Sequence, residues 1–364
     1  MKILLDSHML GQKETGNERY WKNLTLYLAK IFSKKDFFIY SNLPPQKLLK
    51  EFQDFNIYTP LFKNGLYRIF FGFNQAIKKI KPDIIHVQNF VPFQKIIPMI
   101  TTVHDLCFRI DPSWFSLKTR FAFKIFFQRS LDLSDAIICV SETTKKILVK
   151  YHVVDSKKVF VVYEAADQCF YFIGNKKIIK EKLRQRFGIN EDYFLVVGNI
   201  EERKQPRQII EAFQKTIRKN QKMMLVFVGP NKLGLKHNKN ILFLNYLSDE
   251  DLNFLYNGSS ALIFFSCCEG FGLPLVEAMT CKTPIICKDI PVFREIAKNS
   301  AVFVKDNKEM SQAMERIISD KNRRQKYSQL VYQRSKFFSW EKSAKETFKI
   351  YKRVLETKNS PITK

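Results

Sequence analysis

The sequence lacks the long apolar segments that membrane-spanning helices need. No run approaches the roughly 18 apolar residues required to cross a bilayer, and the N-terminal segment MKILLDSHML is too short and too early interrupted to be a signal peptide. We therefore expect a cytoplasmic protein. The seven cysteines include no C-x-x-C pair, so a zinc site built on such pairs is not expected.

The sequence also lacks two common phosphate-binding loops. No G-x-G-x-x-G follows the first predicted strand and no P-loop occurs, so neither an ordinary dinucleotide enzyme nor an NTPase is supported. One D-x-D pair, Asp249 and Asp251, has the composition of a magnesium-nucleotide site. Ser248 precedes it and begins an S-x-x-D capping box for a helix. We therefore predict no required metal.

Positive charge is what the sequence has in excess. Lys and Arg number 61 against 35 Asp and Glu, a formal net charge of +26, which favours nucleic acid, anionic lipid or phosphorylated substrates as partners. The basic residues are scattered along the chain and form no separate basic arm. We therefore expect no nucleic acid partner, and a non-catalytic nucleic-acid-binding protein is kept as an alternative.

Two stretches interleave basic residues with phenylalanine, namely LKTRFAFKIFFQRSL (117–131) and YRIFFGFNQAIKKIKPD (67–83). One interpretation is a helix lying on an anionic membrane surface. The other is a core helix whose edges are basic. Peripheral contact with the inner face of the membrane is therefore one of two open interpretations.

Short apolar runs alternate with amphipathic stretches along the whole chain, which predicts β-α-β units around parallel sheets. A chain of 364 residues is also long enough for two domains. We predict one domain at 1–170, a second at 171–339 and a C-terminal helix at 340–364 that packs on the first. The predicted strands are 2–6, 37–41, 83–87, 99–105, 136–140 and 159–163, then 193–198, 224–229, 241–245, 261–265, 284–287 and 301–304.

The segment EGFGLPLVEAM (269–279) carries two glutamates separated by two glycines and a proline. Glu269 follows a predicted buried strand, and Glu277 falls in or near the first turn of the next helix, whose start Pro274 favours. Ligands of open α/β sheets bind outside the carboxyl ends of the strands. The segment therefore predicts a nucleotide-sugar site, with Glu277 holding the ribose and Glu269 the hexose. The alternative is that Glu277 only complements the helix dipole and Glu269 caps a loop.

The backbone of the same segment suits a phosphate. Gly270 and Gly272 allow a sharp turn and close approach to a ligand. The free N–H groups near Gly272 and Leu273 can receive phosphate oxygens.

EGFGLPLVEAM and the TCKTPIICKDIPVFREI that follows it resemble the donor-site signature of the retaining family-four glycosyltransferases. Other family-like motifs occur in the expected order: TGNERYWKNL (15–24), TVHDL (102–106), SDAIICVSETTKKIL (134–148), VGNIEERKQPRQIIEAF (197–213) and YLSDEDLNFLY (246–256). The resemblance implies an α/β protein with two Rossmann-like doubly wound domains facing each other across a cleft, the GT-B fold.

The resemblance also implies residue roles. Arg203 and Lys204 would neutralise the diphosphate as its charge develops, and His104 would face the donor hexose from the first domain. Gly16 would bring first-domain backbone near the phosphate or the acceptor. The implied catalytic residues are His104 and Glu269, and the implied donor-binding residues are Gly16, Arg203, Lys204, Gly270, Phe271, Gly272, Leu273 and Glu277.

The expected function is transfer of a hexose from a nucleoside-diphosphate sugar to a hydroxyl of a glycan or lipid-linked acceptor, with retention at the anomeric carbon. GDP-mannose is the favoured donor, and no cofactor beyond the sugar nucleotide is expected. Another nucleotide-sugar enzyme of the same fold, an epimerase or a phosphorylase, is an alternative, as is a non-catalytic scaffold.

Overall fold

The computed structural model describes residues 1–11, 15–217 and 222–359. Contacts between Cα atoms divide the chain into two compact units. Unit 1 comprises Met1–Glu164 and Ser339–Lys364, and unit 2 comprises Ala165–Phe338. The division falls a few residues before the predicted boundary at residue 170.

Unit 1 is built on a parallel sheet of seven strands, ordered β3-β2-β1-β4-β5-β6-β7. The order reverses between β1 and β4, as in a doubly wound sheet. The edge strand β3 was not predicted, because three residues at a sheet edge carry too little hydrophobic pattern. The strands are β1 (Ile3–Asp6), β2 (Phe37–Tyr40), β3 (Asn56–Tyr58), β4 (Ile84–Gln88), β5 (Met99–Val103), β6 (Ala136–Cys139) and β7 (Val159–Val161).

Helices of unit 1 follow most of these strands, and two of the helical segments contain a π-helical turn, at Arg68–Gly72 and at Phe123–Phe127. Both turns lie in the phenylalanine-rich stretches noted above. The helices are α1 (Thr15–Ile31), α2 (Gly65–Tyr67), α3 (Phe73–Ile80), α4 (Cys107–Ile110), α5 (Leu117–Ala122), α6 (Gln128–Leu133) and α7 (Glu142–Tyr151).

Unit 2 contains a second parallel sheet, ordered β10-β9-β8-β11-β12-β13, whose order reverses between β8 and β11. All six strands overlap the predicted ones. They are β8 (Asp192–Val197), β9 (Met223–Val228), β10 (Ile241–Leu244), β11 (Ala261–Phe264), β12 (Ile285–Lys288) and β13 (Val302–Val304). The helices are α8 (Lys176–Phe187), α9 (Pro206–Ile217), α10 (Asp249–Gly258), α11 (Leu273–Thr280), α12 (Pro291–Ala297), α13 (Asn307–Ser319) and α14 (Lys321–Ser335).

The chain returns to unit 1 with α15 (Trp340–Asn359), which packs against α1. The rings of Phe32 and Phe348 stack with their centroids 3.5 Å apart. Tyr351 reaches the sheet, where its hydroxyl lies 2.6 Å from His86 Nδ1. The C-terminal helix is therefore part of the core of unit 1.

Candidate active site

The reversal point of the unit 2 sheet places two loops side by side. One loop follows β8 and contains the 3₁₀ turn Glu202–Lys204, and the other follows β11 and contains Glu269. The amide of Cys267 donates a hydrogen bond of 2.9 Å to the carbonyl of Arg203, which joins the two loops. This edge is where ligands of doubly wound sheets bind.

Arg203 lies between two carboxylates. Its Nη2 is 2.9 Å from Glu201 Oε1, and its Nη1 is 2.8 Å from Glu269 Oε1. The contact between Arg203 and Glu269 is an ion pair without hydrogen-bond geometry. Glu269 Oε1 accepts no hydrogen bond within the described structure. Arg203 Nη1 instead donates to the carbonyl of Cys268. Glu269, predicted to bind the hexose, and Arg203, predicted to bind the diphosphate, are therefore in direct contact with each other.

Glu201 was not predicted as a site residue, although its carboxylate contacts both Arg203 and Lys232. Lys232 Nζ lies 3.2 Å from Glu201 Oε2. Burial alone would raise the pKa of Glu201, but Arg203 first, and Lys232 and Lys204 after it, outweigh that effect and hold the pKa below its ordinary value. Glu201 is thus a carboxylate that orients Arg203.

Lys204 lies against the end of β8. Its Nζ is 3.5 Å from the carbonyl of Val197 and 5.4 Å from the ring centroid of Phe264. Burial lowers the pKa of Lys204, although Glu269 favours the charged form. Gly198 makes this position possible, since its φ is +109° and a Cβ there would overlap Lys204 Nζ.

The start of α11 has the backbone that the sequence predicts. Gly272 is the N-cap residue with φ +93° and ψ 60°, a left-handed conformation that glycine adopts readily. Leu273 and Pro274 form the first two helical positions. Gly270 and Phe271 are buried, and the ring of Phe271 packs edge-on against Phe338 with centroids 5.6 Å apart.

Glu277 lies in the second turn of α11 and is only 2% exposed. Its Oε2 accepts a hydrogen bond of 2.7 Å from the hydroxyl of Tyr256 on α10. Tyr256 is itself fully buried. A carboxylate held in this way is oriented by the fold, which a simple complement to the helix dipole does not require. Tyr256 is the second residue of this site that the sequence did not reveal.

The remaining predicted residues lie in unit 1. His104 follows β5; its Nδ1 is 3.4 Å from Glu164 Oε1, and its ring packs edge-on against Tyr20 with centroids 4.7 Å apart. His104 is 9% exposed, and its Nε2 has no hydrogen-bond partner in the described part of the chain. Gly16 is exposed in the first turn of α1, and a Cβ added there would meet no described atom within 4 Å.

The D-x-D pair is used as the sequence predicts. Ser248 Oγ accepts a hydrogen bond of 3.1 Å from the amide of Asp251 and donates one of 2.8 Å to the carboxylate of Asp251. Ser248 therefore caps α10. One group of possible ligands in the described residues, Asp167, Cys169 and Asp249, has ligand atoms within 4.8 Å of one another. Within this group, the carboxylate of Asp167 accepts a hydrogen bond of 3.2 Å from the amide of Cys169. That no metal is required stays a prediction.

Comparison with known families decides the class of protein. Residues 179–334 match the family model described as Glycosyl transferases group 1, and residues 15–170 match the one described as Glycosyltransferase Family 4. Together the two matches cover most of the chain. The chain belongs to the group 1 glycosyltransferases. The resemblance inferred from the sequence motifs is therefore confirmed.

One similar protein is the O-antigen chain mannosyltransferase RfbU of Salmonella typhimurium. It is 29% identical to this glycosyltransferase over 221 residues, which span 58% of this chain and 57% of RfbU. The aligned region thus spans little more than half the length of that relative.

Solved structures confirm the fold of this glycosyltransferase. Sucrose-phosphate synthase from Thermosynechococcus elongatus has a TM-score of 0.78 at 16% identity and covers 98% of this chain and 100% of its own. Anabaena HepE, solved in complex with UDP and glucose, has a TM-score of 0.71 at 16% identity, over 99% of this chain and 100% of its own. The predicted α/β class with two doubly wound domains of the GT-B type is confirmed. None of the helices in the described residues combines the length and apolar character needed to cross a membrane.

Proposed function

We propose that this glycosyltransferase moves a hexose from a nucleoside-diphosphate sugar to a hydroxyl of a glycan or lipid-linked acceptor, with retention at the anomeric carbon. The observation that carries the proposal is the placement of two cations on the loop after β8 and of an oriented carboxylate on the helix after β11, the two strands at the reversal point of the unit 2 sheet. Arg203 and Lys204 supply the cations, and Glu277 supplies the carboxylate.

The charges of the site suit a diphosphate. Arg203 and Lys204 lie on the loop after β8, and Lys232 and Lys288 contact residues of the two joined loops. Glu201 and Glu269 are the carboxylates in contact with these cations, while Glu202 on the same loop is 60% exposed and lies 3.8 Å from Arg207. The cluster therefore carries excess positive charge beside the start of α11. Fixed cations of this kind stabilise the negative charge that develops on a departing nucleoside diphosphate.

The remaining roles follow from the chemistry of each group. Glu277 accepts hydrogen bonds from ribose hydroxyls, and Tyr256 keeps its carboxylate in place. Glu269 and His104 orient the hexose, since a carboxylate and an imidazole nitrogen both form hydrogen bonds with sugar hydroxyls. The acceptor attacks from the face of the leaving group, and the departing phosphate oxygen takes the acceptor proton.

Mannose carried on GDP is the favoured donor. The similarity to RfbU, which is named as an O-antigen chain mannosyltransferase, supports mannose. HepE was solved with UDP and glucose, so a uridine nucleotide carrying glucose is the competing choice. No cofactor or metal is proposed.

The first test is a thermal-shift screen of the purified protein with GDP, UDP, ADP and dTDP and their sugars, with and without EDTA. We expect one nucleotide to raise the Tm in a manner insensitive to EDTA, and Glu277→Ala to weaken that shift. The volume-conserving Glu277→Gln separates loss of the charge from loss of packing. Absence of a shift with every nucleotide, together with salt-sensitive binding of nucleic acid, would exclude the proposal.

Product analysis separates transfer from related chemistry. The expected products are a free nucleoside diphosphate and a glycoside whose anomeric configuration matches that of the donor, as read by NMR. An epimerase would release no nucleoside diphosphate, and a phosphorylase would depend on inorganic phosphate.

A further inference from the structure

Unit 1 presents a group of exposed apolar side chains that we call the aromatic–basic face. These residues are 42% to 64% exposed, far more than ordinary core residues of the same types. They come from the segment around α2, from the loop after β4 and from α5 with its π-helical extension. They are Phe62, Leu66, Phe71, Phe93, Phe121 and Ile125.

The three segments are joined through one ring. The centroid of Phe70 lies 4.6 Å from that of Phe93, 5.9 Å from that of Phe126 and 6.4 Å from that of Phe71. Residues far apart in the sequence thus form one surface. A contiguous apolar patch on a folded protein indicates an interaction site, because scattered single residues are the normal case.

The three segments that form this face carry charges of one sign, and two acids of neighbouring segments, Asp135 and Asp111, lie near their Lys95 and Arg120. Residues 61–82, 90–98 and 115–131 contain no Asp or Glu. Lys63, Lys118 and Lys124 are exposed and form no ion pair with any residue that the structure describes. Arg129 lies over the ring of Phe93 with its guanidinium carbon 4.4 Å from the centroid.

We propose that the aromatic–basic face docks unit 1 on the surface of an anionic lipid bilayer. Rings and aliphatic side chains enter the boundary between headgroups and acyl chains, while lysines beside them contact anionic headgroups. A face whose three segments supply cations and no acids complements a partner whose charge is uniformly negative. A folded protein presents charges of both signs, which this face does not match.

The inference rests on unit 1 alone and not on the donor site of unit 2. A failure to bind nucleotide would leave it standing, and a failure to bind lipid would leave the proposed transfer reaction standing. If both hold, the face would bring unit 1 to the membrane, where a lipid-linked acceptor resides.

The test is flotation of the full chain with vesicles of phosphatidylcholine alone or of phosphatidylcholine mixed with phosphatidylglycerol. We expect binding to the mixed vesicles only, weakened by salt because headgroup attraction is screened. The double variant Phe71→Ser with Phe121→Ser should lower partitioning by about tenfold or more, since each ring loses its apolar burial. Lys118→Glu with Lys124→Glu should lower it by at least about fivefold for each lysine.

Matched controls lie on unit 2. Lys177→Glu with Lys180→Glu changes the net charge equally on the exposed side of α8, and Phe172→Ser removes an exposed ring. These variants should bind vesicles like the wild type. Equal losses in the two lysine variants would mean that net charge alone attracts lipid, and a loss in Phe172→Ser equal to that of the ring variant would mean that any exposed ring does; either result would overturn the proposal.

A second measurement addresses a protein partner. If the face joins two copies of this chain, sedimentation without lipid would show a dimer that Phe71→Ser with Phe121→Ser dissociates, and vesicle binding would be absent. That result would also overturn the proposal. The wild type is expected to bind anionic vesicles, and the ring and lysine variants are expected to lose that binding separately.

Discussion

The hydroxyl of Tyr256 donates a hydrogen bond of 2.7 Å to the carboxylate of Glu277, and both side chains are buried. The two residues lie on neighbouring helices, α10 and α11, so the carboxylate is oriented by tertiary packing before any ligand arrives. A buried carboxylate needs such donors, because an unpaired charge is costly to remove from water.

Tyr256→Phe is expected to weaken nucleotide binding and to destabilise unit 2. The change removes one donor to a buried carboxylate, a loss of about 1 to 3 kcal/mol in the free energy of unfolding. The freed carboxylate also loses its fixed orientation, which the proposed binding of ribose by Glu277 requires. Urea unfolding and calorimetric titration with the nucleotide found in the screen measure the two effects.

Tyr193→Phe is the matched control for that prediction. Tyr193 is also buried, and its hydroxyl donates a hydrogen bond of 2.7 Å to the carbonyl of Leu255. We expect a similar loss of stability and unchanged nucleotide affinity. If both variants weakened nucleotide binding equally, the effect of Tyr256 would be general destabilisation and not support of Glu277.

Arg203→Ala is expected to lower kcat by about 10²- to 10³-fold, the cost of removing one preorganised group that stabilises developing charge. The comparison is Arg207→Ala, four residues further along the chain. Arg207 is 66% exposed and pairs with Glu202 only at 3.8 Å, so its loss should leave kcat unchanged. Steady-state kinetics with the identified donor provide the measurement, and equal activity of the two variants would contradict the assignment of Arg203.

The sequence predicts those parts of the site whose chemistry is local along the chain. The order strand, glycine loop, proline and helix in residues 261–280 places Glu269 and Glu277 on the correct elements without knowledge of packing. Tyr256 and Glu201 could not be found in this way. Tyr256 reads as one more aromatic residue on an amphipathic helix, and its contact with Glu277 exists only after α10 and α11 pack together.

The same distinction holds for the fold. Strands that lie inside the sheets carry enough apolar residues to be recognised, whereas Asn56–Tyr58 does not. The phenylalanine-rich stretches left a core helix and a membrane surface as open alternatives, because periodicity does not say which face neighbouring elements cover. The structure shows Phe127 buried and Phe121 64% exposed on consecutive parts of one helical segment, so each stretch contributes to both the core and the surface.

Gly16→Ala tests whether the backbone at the start of α1 approaches a ligand. A Cβ there meets no described atom within 4 Å, and alanine favours a helix by about 0.5 to 1 kcal/mol over glycine. The free energy of unfolding should therefore stay equal or rise. If a phosphate or acceptor needs the open space, kcat/KM should fall by about tenfold or more, because small misplacements of reactants are costly.

Gly65→Ala is the control for that change, since a Cβ at Gly65 also meets no described atom within 4 Å. It should leave kcat/KM unchanged. Full activity of Gly16→Ala would remove Gly16 from the predicted donor-binding residues.

His86 is expected to make the stability of unit 1 depend on pH. The ring is fully buried, with Nε2 2.7 Å from Thr102 Oγ1 and Nδ1 2.6 Å from Tyr351 Oη. Burial lowers the pKa of His86 to about 3, with a smaller contribution from His104. In the unfolded chain the pKa is about 6.5, so the unfolded state binds more protons between these values. The stabilising contribution is therefore complete above pH 6.5 and is lost as the pH falls toward 3.

The loss attributable to His86 between pH 7 and pH 5 is about 2 kcal/mol, since each pH unit below 6.5 costs about 1.4 kcal/mol. Urea unfolding of unit 1 at both pH values measures it, and His86→Gln should remove that part of the pH dependence. His152, whose pKa burial lowers to about 4, adds to the slope in the same direction, so a residual dependence is expected in the variant. His152→Gln should remove the part of the slope that is due to His152 while leaving the contact of α15 with the sheet intact, and His8, whose pKa burial also lowers, contributes to what is left. An unchanged slope in His86→Gln would contradict the lowered pKa of His86 in the folded protein.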